Sequence, residues 1–225
     1  MAKLADALKE AAAVATAEEG DFNSAFSGIL SKLKRGIAEV KKTPALLEEV
    51  PGDIDAWPFL LRVSSEKASF TKQIWETSSI LLTSPVWAAS FQLQEDKSRL
   101  GIHKAGVRDA PMVSEMALRL LSQGMKFGDL IPLDAISGME RALCTALLDI
   151  LKEPGMPSDV AEAALTSEVG RRLAEQAESV AEGEAKRKVV APDSKSSVSK
   201  DANLPVYVCE GISGSHQKME IKKGL

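Results

Sequence analysis

Apolar residues along this chain recur mostly at three- and four-residue spacing, the period of helices buried on one side. Leu4, Leu8, Ala11 and Ala15 set out an alanine-rich helix over residues 1–19, ended by Gly20. Alanine helices form readily and bury little area per turn, so this one is expected to be peripheral. A second helix spans 24–42 and stops at Thr43-Pro44. Pro44 can open a short third helix, ALLEEV, closed by Pro51-Gly52. FLLRVSS reads equally as a strand or as a helix start, because its run is too short for periodicity to decide.

Phe70, Ile74 and Leu81 mark a helix over 65–82, and Ser84-Pro85 opens another that runs to Leu100 before Gly101. Val113, Met116, Ala117 and Leu120 give a further helix, ended by Gly124. Asp134 begins a strongly amphipathic segment to Lys152, with Ile136, Met139, Leu143, Leu147 and Ile150 on one stripe. A long final helix, capped by Ser158, carries Leu165, Val169, Leu173, Ala177 and Ala181 at four-residue spacing. The expected fold is therefore all-α, an irregular bundle of about seven helices with helical arms at both ends and a disordered C-terminal tail. Residues 1–20 form the first arm, 21–155 the core domain, 156–182 the long C-terminal helix and 183–225 the tail. That tail is polar and serine-rich, too poor in apolar residues to offset chain entropy. Its one apolar island, PVYVCEGI at 205–212, reads as a collapsed segment or as a docking peptide.

Composition agrees with helices. Aromatic residues make up only 4% of a chain that is 44% hydrophobic, which disfavours a β-sandwich. The net charge of −4 is uneven: +1 over 1–44, −2 over 45–110, −6 over 111–182 and +3 over 183–225. A duplex-binding protein normally carries a clear basic excess, so any nucleic-acid contact would have to be local. Two cysteines, Cys144 and Cys209, make no disulfide framework and read as free thiols in an intracellular, cytoplasmic protein. The opening MAKLADALKE is broken by charge and is no signal peptide, and the most apolar run, Ile80 to Phe91, is too short to span a bilayer. Integral membrane association is not expected.

Chemistry is sparse. A nucleophilic arrangement would need His103, with Cys144 as thiol or Asp109 as the orienting carboxylate. Cys144 sits beside Leu143 on an apolar stripe, which is core geometry. No pair of Cys or His residues has metal-ligand spacing, and no glycine-rich loop cradles a phosphate, so neither a cofactor nor an enzymatic function is expected. Asp53 and Asp55 in GDIDAW read as turn chemistry. Trp75, Trp87 and Phe91 read as core, and Trp57 as either a core-closing residue or an exposed anchor.

One helix stands out. In SKLKRGIAEVKK, Leu33, Ile37 and Val40 fall within about 60° of one another on a helical wheel. Lys32, Lys34, Arg35, Lys41 and Lys42 occupy the remaining arc. Lys41 and Lys42 also lie at the helix end, where cations offset the macrodipole. The cationic arc is either a solvated face or a site for nucleic acid or an acidic partner. AKRK, residues 185–188, reads as a short basic tether or a solvated helix end. The leading expectation is a non-enzymatic interaction or assembly protein that self-associates or docks a protein partner through its terminal helices and tail. The alternative is a nucleocapsid-like RNA-binding structural protein that uses the five cations of this helix.

Overall fold

The computed structural model describes residues 2–188, with side chains described for 3–178; the tail, its apolar island and Cys209 lie outside the described residues. Residues 1–186 form one compact unit. The chain is all-α. Its helices are α1 (Ala2–Val14), α2 (Glu19–Lys42), α3 (Trp57–Glu66), α4 (Thr71–Leu81), α5 (Pro85–Gln92), α6 (Ala110–Ser122), α7 (Phe127–Leu130), α8 (Arg141–Asp149), α9 (Ser158–Thr166) and α10 (Glu168–Lys188). Short 3-10 turns occupy much of the linking chain, among them Pro44–Leu47, Lys97–Leu100 and Leu133–Gly138.

The ALLEEV segment is thus a single 3-10 turn, and FLLRVSS resolves as helix within α3. The helix from Pro85 stops at Gln92 instead of Leu100. α10 runs to Lys188, past the expected start of the tail at 183.

α2, α4, α6 and α8 pack one on the next, α1 lies along α2, and α3 packs on α1 and α4. α2 is the organising element. Glu19 and Asp21 in its first turn and Lys41 and Lys42 in its last both oppose the macrodipole, and Thr43-Pro44 stops it. Phe22, Ile29, Leu30, Leu33, Ile37 and Val40 on its inner side are all buried. α1 lies antiparallel along α2 with Leu4, Ala7, Leu8 and Ala11 buried. The approach is close because Gly36 has no side chain; a Cβ there would stand 2.8 Å from Leu4 Cβ.

Arg62 on α3 fixes the end of α1. Its Nη1 donates to the carbonyls of Ala15 (3.2 Å) and Ala17 (2.8 Å), and its guanidinium carbon lies 3.9 Å from the centre of the Phe22 ring. These carbonyls belong to the turn between α1 and α2, where helix-type bonding has run out. A second junction gathers on the Leu100 carbonyl, which accepts from Ser64 Oγ (3.0 Å) and Trp75 Nε1 (2.7 Å). Trp57 is fully buried, its Nε1 donating to the Trp87 carbonyl at 3.2 Å and its ring 4.7 Å from that of Phe91. Trp57 is therefore a core residue, not an exposed anchor.

Two segments depart from the expected continuous helices. The stripe Ile136, Met139, Leu143, Leu147 and Ile150 is buried throughout, yet the chain passes from a 3-10 turn through extended Met139 and Glu140 before α8 begins. The final helix is likewise broken. Ser167 Oγ accepts from the Gly170 backbone and so caps a new helix, α10, beside the end of α9. A side chain at Gly170 would overlap the Ala164 carbonyl oxygen. The break changes the helical phase, so Val169 and Leu173 are buried while Leu165 is 48% exposed.

Candidate functional site

The five cations of α2 do not form one patch, because neighbouring helices claim some of them. α1 places Glu10 against Lys32, with Nζ 2.6 Å from a carboxylate oxygen, and Lys3 against Glu39 at 3.0 Å. α4 places Glu76 against Lys41. Each pair is half-exposed and contributes modestly, about 0–1 kcal/mol, but each occupies the charge locally. Lys34, Arg35 and Lys42 are exposed and have no hydrogen-bond or ion-pair partner among the described residues. The helix end accounts for Lys42 in part. Lys34 and Arg35 lie a turn or more further in.

Around these cations the outer side of α2 presents small residues: Ser27, Gly28, Ser31 and Ala38 are exposed or open to space. No aromatic side chain is fully exposed there, since Phe22 is buried and the half-buried Phe26 meets Phe70 edge to face with 5.4 Å between ring centres. Base stacking therefore has no platform on this face.

A surface of opposite sign includes Asp53 and Asp55, which the sequence alone presents as turn residues. Glu48, Glu49, Asp53 and Asp55 are all exposed in the loop between the Pro44–Leu47 turn and α3. Asp53 and Asp55 line an open cleft of about 370 Å³ against α1, together with Lys9, Ala12, Pro51 and Ile54. Val50 and Ile54 anchor the loop in the core, which leaves its carboxylates outward. The alternation of acid and apolar residues in EEVPGDID was the signal available for this arrangement.

The groups suited to catalysis are not brought together. Cys144 is fully buried among apolar neighbours on α8, and burial pushes its thiol pKa up, away from the reactive thiolate. His103 is partly buried, and its Nδ1 is enclosed without a hydrogen-bond partner. Burial lowers its pKa, the nearby Lys104 lowers it further, and Asp134 acts in the opposite direction. Asp109, the carboxylate considered for it, instead pairs with Lys72 at 2.8 Å. A second cleft of about 280 Å³ lies between the Gly124–Phe127 segment and α9, lined mainly by apolar groups with Lys126 and Asp159. Neither cleft includes His103 or Cys144. Among the described residues no group of three or more His, Cys, Asp or Glu side chains is placed to hold a metal ion. No described helix is long and apolar enough to cross a membrane.

The described residues define an all-α protein. Compared with known proteins, the chain matches no family model, no curated protein and no solved structure.

Proposed function

We propose that this chain is a non-enzymatic interaction or assembly protein that self-associates or docks partners through its terminal helices and tail. The observation that carries this reading is the seating of α10. Val169 and Leu173 are buried, Ala177 is half-buried against the core, and the helix then runs on to Lys188. α1 is a weaker candidate than its sequence suggested. Its apolar side is used on α2 and α3, which leaves the polar outer side with Asp6 and Lys9.

Light scattering on the full chain, and on a chain ending at Glu178, tests the reading. A dimer or larger species that falls to a monomer on truncation supports it. A full chain that stays monomeric at high concentration removes it.

A second reading is an RNA-binding structural protein of nucleocapsid type, favoured by the exposed and unpaired state of Lys34, Arg35 and Lys42. Neutralising about three phosphates on a single strand predicts a slope near −2 in log affinity against log salt. A slope left intact by replacing all three residues with Gln would remove them from such a site.

A further inference from the structure

We propose that the outer face of α2 docks onto a second copy of this chain, at the acidic surface that loop 48–55 presents beside α1. The proposal rests on the assembly reading and names one contact within it. On the basic side, Lys34, Arg35 and Lys42 cover about 12 Å along the helix axis. The small exposed residues on the same side of α2, Ser27, Ser31 and Ala38, hold no bulk that would keep a partner surface away. On the acidic side, Asp53 and Asp55 open into the cleft against α1, and Glu48 and Glu49 flank it along the chain. Among these four carboxylates one side-chain partner is present, the Gln94 amide at 3.4 Å from Asp55. Lys9 is the cation in the cleft lining, so the loop and Lys9 together leave three negative charges facing three positive ones.

Within one chain the two patches are separated by the Pro44–Leu47 turn, and no ion pair crosses it. The basic patch lies along α2 and the acidic one on the loop that follows it, so each copy carries both halves of the contact and a second copy can supply the opposite charge to either. The cleft has room for the head of an arginine or lysine side chain, which the convex face of α2 supplies. A polyanion fits less well. It would meet the loop carboxylates and a net charge of −4, and it would find no aromatic platform on α2.

The test is a charge exchange in the full-length protein. One variant carries Lys34→Glu, Arg35→Glu and Lys42→Glu; the other carries Glu48→Lys, Glu49→Lys and Asp53→Lys. All six positions are exposed, and circular dichroism checks that both variants fold. Sedimentation velocity is run on each alone and on an equimolar mixture, at low and high salt. The wild type should self-associate, and its association should weaken about tenfold on raising the salt. Each variant alone should lose at least that much, and the mixture should recover it, because each altered patch again meets its opposite.

Self-association that neither variant weakens overturns this contact and leaves the assembly reading standing. Weakening without recovery in the mixture also overturns it, since the two patches then do not face each other. A wild type that is monomeric throughout removes both readings. A monomeric wild type that binds a fluorescent oligonucleotide, and loses it only in the Lys34→Glu, Arg35→Glu, Lys42→Glu variant, assigns the face to a polyanion and overturns the proposal.

Discussion

Replacing Arg62 tests whether α1 belongs to the core. The Arg62 side chain is 80% enclosed, and Nη1 supplies both hydrogen bonds to the turn after α1 while the guanidinium carbon lies over the Phe22 ring. A hydrogen bond from a charged group contributes about 1.5–3 kcal/mol net. Both bonds here come from one nitrogen, so the pair is counted once, at about 2 kcal/mol. Stacking on the Phe22 ring adds about 1 kcal/mol. The ion pair with Glu66 adds a few tenths at most. Arg62→Ala should therefore cost about 3 kcal/mol, a fall of roughly 6–12 °C in Tm for a unit of this size. Arg62→Lys keeps the charge and loses the fork and the planar stack, and should cost about half as much. Thermal unfolding followed by circular dichroism measures the global effect. Hydrogen exchange adds a local one: amides of α1 should open ahead of those in α4 and α6 in the alanine variant. A loss below about 1 kcal/mol for Arg62→Ala, or a lysine variant as stable as the wild type, would refute the assignment of Arg62 as the clasp on α1.

Three smaller perturbations follow from the same packing. Gly36→Ala should destabilise by about 1 kcal/mol, because overpacking against Leu4 costs about 1–3 kcal/mol and the gain in helix propensity returns about 1; a raised Tm would contradict the close approach of α1. Ser78 is fully buried with its hydroxyl unpartnered, so Ser78→Ala should be neutral or stabilising, and a chemical-denaturation loss above about 1 kcal/mol would show that the hydroxyl has a partner. His103 has a folded pKa below its ordinary 6.5, so its contribution is fully present above that value and is lost as pH falls through the folded pKa. His103→Gln should flatten that part of the stability profile between neutral and mildly acid pH, whereas an unchanged slope would place the histidine in solvent.

Burial was more legible in the sequence than continuity. The stripe from Ile136 to Ile150 is buried at every position named, because apolar spacing reports which side faces the core whether or not the backbone stays helical. It could not report the extended residues Met139 and Glu140, where the chain leaves one turn and enters α8. The long final helix failed for a different reason. Four-residue spacing from Leu165 to Ala177 looks continuous, while Ser167-Glu168 carries a serine cap followed by an acid, a helix-start signal of its own. Capping by Ser167 won, and Leu165 was left exposed. Arg62 is the reverse case. In FLLRVSS it reads as one polar residue in an apolar run, and nothing local to it announces the turn 45 residues away whose carbonyl it binds.

The charge of α2 shows why the candidate site was only half legible. A helical wheel separates the apolar side from the cationic side using α2 alone, and that division holds in the structure. Which cations remain available depends on what lies beside α2, and that is decided by α1 and α4. Lys32 and Lys41 meet Glu10 and Glu76, which are distant in sequence and brought close only by packing. The two helices therefore take one cation at each edge of the arc and leave Lys34, Arg35 and Lys42 exposed and without an ion-pair partner among the described residues. In the sequence Lys41 and Lys42 look alike, two cations at the same helix end. The fold instead divides them, Lys41 to Glu76 and Lys42 to the outer face, since residues one apart on a helix point about 100° from each other. A partner drawn to the charge of α2 therefore meets Lys34, Arg35 and Lys42, while Lys32 and Lys41 are held in the ion pairs that fasten α1 and α4.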